Sequence, residues 1–168
     1  MNPYDYILWA PDWAWGMPLI ALNVVIHVFC LATFTARTER LLSRFTDHRN
    51  FILTFAVVMG IAVILVTLLH VLEAGIWAIA YRYIGAIADN KSAMLYSLGA
   101  ITTYGHANIF LDAKWQMLGA LEALNGMLLF GLTTAFMFAM IHRVWPVGNR
   151  MKQEGAEASE VSYRETHS

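Results

Sequence analysis

Apolar residues fall along this chain in long charge-free runs, cut by short polar segments. Residues 17–36 form the first run. At about 1.5 Å per residue it is long enough to cross a hydrocarbon core of ~30 Å as a helix. The second run starts at Phe51, stays uncharged to Leu72 and keeps helical character past Glu73 to Tyr81. The third covers 115–141 and is interrupted only by Glu122. Pro146 is expected to end it, because proline cannot continue the backbone ladder. Between the second and third runs, residues 93–102 are apolar enough for a helix of about 15 Å, half a span. Residues 104–108 then turn polar and include a glycine. Irregular backbone of this kind cannot face lipid, where its polar groups would go unsatisfied. A half-helix followed by a Thr-Gly segment between two spans has the layout of a re-entrant pore loop, in which backbone carbonyls replace a cation's hydration shell. The pattern predicts an all-α integral membrane protein with three transmembrane helices. A re-entrant pore helix and filter loop lie between the second and third.

Composition supports the membrane reading. Of 168 residues, 58% are hydrophobic and 14% charged, where a soluble domain carries about 25% charged residues. A single cysteine, Cys30, excludes an intrachain disulfide and a cysteine-based zinc site. A net charge of -1 gives no basis for a nucleic-acid partner. Charge also orients the chain. Arg37, Arg40, Arg44 and Arg49 follow the first span, and Arg143, Arg150 and Lys152 follow the third. By the positive-inside rule both groups are cytoplasmic, so the N-terminus and residues 82–114 are outside and the C-terminus is inside. The expected location is the cell membrane. Residues 1–16 hold Asp5 and Asp12 but no basic residue, so they are not a secretory signal. Tyr4, Tyr6, Trp9, Trp13 and Trp15 suit an aromatic anchor at the interface. The stretch 147–168 is polar, with Glu154, Glu157, Glu160 and Glu165, and reads as disordered.

Tyr96-Ser97 opens the re-entrant segment, and Thr102-Thr103-Tyr104-Gly105 enters the filter position. The run "LGALEALNGMLLFGLTTA" follows, with Gly126 at a hinge position and Phe130, Gly131, Thr134 and Ala135 beyond it. On these residues the chain resembles the potassium-channel pore superfamily, in particular its small bacterial two-pore-domain-type members. Their pattern runs Tyr/Trp-Ser, a short pore helix, T-T-V-G-Y-G-D, and an inner helix with a hinge glycine and an F-G-x-x-T-A run. The resemblance covers about 51–141. It implies a homotetramer in the bilayer, each copy giving one loop to a central axis, with K⁺ or Na⁺ as permeant ligand and no resident cofactor. The chain then divides into an aromatic arm (1–16), a first transmembrane helix (17–36), a basic cytoplasmic loop (37–50), a pore domain (51–146) and a cytoplasmic tail (147–168).

The family's G-Y-G-D reads Gly105-His106-Ala107-Asn108 here. Filter glycines adopt left-handed dihedrals, which cost a residue with a Cβ roughly 1–2 kcal/mol, so Ala107 is expected to change the outer filter. Asn108 keeps hydrogen bonding but loses the acid's charge. Three readings of the loop stay open: relaxed cation conduction through the inner half, a ring of four His106 side chains that titrates or binds metal, and loss of selective conduction with His106 facing protein.

Ionisable groups inside the spans are functional candidates because burying them is costly. His70 and Glu73, three residues apart, are expected to pair and brace the outer helix against the pore helix. A joint metal or proton site with His27 is disfavoured by depth: His27 counts about 15 Å below the outer end of its run, whereas His70 counts near the outer face. No metal site is expected. Glu122 and Asn125 precede Gly126. Glu122 either lends charge to a cavity or, as expected here, bonds the pore-helix backbone. The arginines of 37–49 lie outside any span and do not form a voltage sensor. No catalytic constellation is present and no enzyme is expected. The reading is a passive cation channel with an atypical Thr-Tyr-Gly-His-Ala filter. Its rivals are a non-conducting scaffold or sensor on the same fold, and a metal or proton carrier using His27, His70, Glu73 and His106.

Overall fold

The computed structural model describes the backbone of residues 5–42, 51–105 and 108–166, and side chains over 9–38, 53–105 and 108–142. The described chain forms helices α1 (Asp5–Leu42), α2 (Phe51–Tyr83), α3 (Asn90–Ile101) and α4 (Gln116–Thr166), the last entered through a 3₁₀ turn at Ala113–Trp115. There is no strand among the described residues. Within the long helices, Trp9–Thr38, Leu53–Tyr83 and Ala113–His142 are long and apolar enough to cross a membrane.

The distribution of side chains is that of a lipid-solvated fold. Asp12, Asn23, His27, Glu73, Ser97, Glu122 and Asn125 are buried, while Val25, Phe29, Ile64 and Phe130 are exposed. Water would drive the reverse sorting. In hydrocarbon, apolar side chains are at home outside and polar groups must find partners inside.

Long-range contacts set the directions of the helices. Asp12 meets Leu118 and His27 meets Thr133, each pair 106 residues apart, so α1 and α4 run parallel side by side. Trp15 contacts Tyr83 and His27 contacts His70, so stepping forward along α1 goes with stepping back along α2. These two are antiparallel. We call the end marked by Trp9, Trp15 and Tyr83 the aromatic end.

The short helix α3 starts at that end. Asp89 caps it, accepting from the Ser92 N–H at 2.8 Å. Arg82 closes the connection from α2 by donating to Asn90 Oδ1 and the Ile87 carbonyl. Ala86, Ile87, Ala93 and Leu111 then pack with Trp77, Tyr81 and Leu118 in one core. Further along, Ile101 packs with Ala74 and Leu129. Ala74 lies nine residues before the end of α2 at Tyr83, so α3 ends about 14 Å in from the aromatic end. The chain then turns back, and the Asp112 N–H reaches the Ala86 carbonyl at the level where α3 began. A short helix enters part-way and an irregular segment returns.

The helix boundaries correct four expectations. Of the expected arm, residues 5–16 are not an element apart from the first span, because α1 begins at Asp5 and continues through Pro11 and Pro18. Transmembrane helices tolerate proline where neighbouring groups satisfy the freed carbonyls. The short helix spans Asn90–Ile101 rather than 93–102, since Asp89 supplies a cap. Pro146 does not end the last helix. Nor is the stretch 147–166 disordered: α4 runs on to Thr166, through a sequence rich in the helix formers Ala, Glu, Lys, Gln and Met. Of the basic loop, 43–50 lies outside the described residues.

Candidate functional site

The return segment is held from behind by the end of α3. Thr102 N–H donates to the Leu98 carbonyl, Thr103 N–H to that of Ala100, and Gly105 N–H to that of Gly99. The Thr102 hydroxyl adds a 2.6 Å bond to the Leu98 carbonyl. Two positive φ angles stand two residues apart, Thr103 at 57° and Gly105 at 77°. Glycine adopts this conformation freely, but a β-branched residue does so at a cost of about 1–3 kcal/mol. Thr102, Thr103, Tyr104, Gly105 and Asn108 are exposed, Tyr104 at 89%. His106 and Ala107, where the sequence leaves the potassium pattern, lie outside the described residues. Gly99, Thr103, Gly105, Phe110, Gly119 and Ala123 line an open recess beside this segment.

Glu122 secures α3 to the frame. It is fully buried, accepts from the Tyr81 hydroxyl at 2.6 Å, and meets the Ser97 hydroxyl through its other oxygen. Ser97 also reaches the Ala74 carbonyl at 2.6 Å. Glu122 therefore binds side chains of α2 and α3 rather than the α3 backbone. Gly126 is a contact point. A Cβ there would overlap the Ile101 carbonyl and lie 2.9 Å from Ile101 Cα, while α4 passes through without a break. Asn125 is buried beside it, and its amide has no hydrogen-bond partner among the described residues.

His27, His70 and Glu73 come together, against the depth argument. Glu73 pairs with His27 rather than His70: His27 Nδ1 and Glu73 Oε1 are 2.8 Å apart, both side chains fully buried. His27 Nε2 lies 3.0 Å from the Thr133 hydroxyl of α4. His70 directs Nδ1 at the Val66 carbonyl, 2.8 Å away, and its ring meets His27 edge-on at 5.3 Å. The depth count failed because it took the ends of charge-free runs for the ends of helices. Both α1 and α2 extend further toward the aromatic end, by Trp9 and the neighbouring turns on one and by Tyr83 on the other. Counted from the Trp15–Tyr83 contact, His27 stands 12 residues along α1 and His70 13 residues back along α2, so the two share a level.

Asn23 and Thr133 are unmarked in the sequence, and Asp12 and Ser97 carry no sign there of the bonds they make between helices. Asp12 is buried and accepts from the Leu118 N–H at 2.9 Å. It satisfies one of the free amides in the first turn of α4 and sits at that helix's positive end. Its signal was a spacing. Asp12, Gly16, Asn23 and His27 follow one another at intervals of about one or two helical turns, marking one polar face on an apolar helix. Protein-family models, curated proteins and solved structures give no match to this chain.

Proposed function

We propose that four copies of this chain surround an axis lined by residues 102–108 and form a passive pathway for monovalent cations across the cell membrane. The observation that carries the reading is irregular, exposed backbone at half depth, directly after a short helix. Such backbone is tolerated inside a membrane only where protein or water covers it. A shared aqueous axis supplies water, and a cation moving along it would meet carbonyl oxygens. The C-terminus of α3 carries the negative end of its dipole toward the same region. The strained Thr103 is further support, since strain of this kind gathers at functional sites. The recess beside the loop and the exposed Tyr104 and Phe110 offer surface for the neighbouring copy. On this reading the aromatic end faces outside, following the arginines at the other end of the spans.

A single loop cannot enclose a pathway, so assembly is the first test. Native mass spectrometry of the protein in mild detergent is expected to give a mass four times the 18.9 kDa chain. A monomer or dimer as the only species, in lipid nanodiscs as well as detergent, would overturn the proposal.

A further inference from the structure

We propose that His27, His70 and Glu73 bind one divalent transition-metal ion of the zinc class, which pins α1 to α2 inside each subunit. One ligand atom from each of the three residues lies within 4.8 Å of the others. Ligands around a tetrahedral zinc, with bonds of about 2.0–2.1 Å, sit ~3.3 Å apart. Small side-chain rotations therefore close the site.

Hydrogen bonding prepares the ligands. The Val66 carbonyl can only accept, so it takes the Nδ1–H of neutral His70 and leaves the lone pair on Nε2. That Nε2 is buried with no partner among the described residues, and so is Glu73 Oε2. Two orphaned acceptors, three residues apart on one helix, are costly in an apolar interior. A carbonyl behind the non-ligating nitrogen is also the usual outer partner of a metal-bound histidine. His27 is the third ligand. Its Nδ1 faces Glu73 and its Nε2 faces Thr133. With metal on Nδ1 the ring proton sits on Nε2, and the Thr133 hydroxyl accepts it instead of donating. Two imidazoles and one carboxylate suit Zn²⁺ or Co²⁺ better than Ca²⁺ or Mg²⁺, which favour all-oxygen shells. The site does not depend on conduction.

The test uses the full-length chain in detergent, with any affinity tag removed, dialysed against Co²⁺ or Zn²⁺ and desalted. About one metal ion per chain is expected to remain, with the strong visible absorption of low-coordinate Co²⁺. Zn²⁺ should raise the Tm of the unsubstituted protein. His70→Gln and Glu73→Gln should each lower metal retention by at least ~10-fold and abolish the Tm rise. If the unsubstituted protein keeps no metal and shows no such absorption, the orphaned atoms are met by water and the proposal fails, whether or not the variants fold. Retention unchanged in both variants would place the metal elsewhere and overturn it equally.

Discussion

Glu122 is a single carboxyl group that holds three helices: its own α4, α2 through Tyr81, and α3 through Ser97. Glu122→Ala leaves the buried Tyr81 hydroxyl without its acceptor, at about 1–3 kcal/mol, and frees Ser97 from α4 while it keeps the Ala74 carbonyl. Glu122→Gln keeps the shape and an acceptor oxygen. Thermal unfolding in detergent should therefore show a marked loss for the alanine variant and a smaller one for glutamine. Equal, negligible effects would remove Glu122 from the frame. Gly126 and Gly131 make a second contrast. A Cβ at Gly126 runs into the Ile101 backbone, whereas one at Gly131 meets nothing within 4 Å. Gly126→Ala should cost about 1–3 kcal/mol through forced displacement of α3, and Gly131→Ala should leave stability unchanged or slightly raised. Thermal unfolding of the pair reads both. The sequence marks Glu122 and Gly126 as unusual because each stands out in an apolar helix. It does not reveal what they touch. Ser97 and Tyr81 resemble ordinary helix residues until α3 is folded between α2 and α4.

At the scale of elements, the three spans and the half-length helix are legible as runs free of charge, because lipid admits few alternatives. Their ends are not. Charge-free runs mark where a helix can face hydrocarbon, and the helices here go on into aromatic and capped turns. Asp89 is such an end. The Ser92 N–H, and to a lesser degree Arg82, hold its carboxyl below the usual value. A lowered folded value means the cap is at full strength above the unfolded carboxylate pKa, about 3.9, and is lost as pH falls through the lowered folded value. Hydrogen exchange at the Ser92 amide, compared with Asp89→Ala, should show cap-dependent protection at neutral pH and at pH 5. The difference should shrink below about pH 4. Protection identical in both proteins at neutral pH would show that the cap is idle. His27 carries the larger lesson. Its match in level with His70 follows chiefly from α2, which runs on to Tyr83, well past the end of its charge-free run at Leu72.

In the whole molecule, polar groups run through the interior from Asp12 at the aromatic end of α1 to the His27, Glu73 and Thr133 group. This core ties α1 and α2 to α4 and leaves the return segment as the exposed polar feature beside α3. The proposal that this segment lines a shared axis makes ion passage the decisive property. The direct measurement is flux from liposomes containing the purified assembly, under opposed K⁺ and Na⁺ gradients, with empty liposomes as reference. A cation leak that scales with protein content, with K⁺ and Na⁺ both permeant, is the expected result. No leak above empty liposomes, from assemblies verified as tetramers, would contradict a cation pathway.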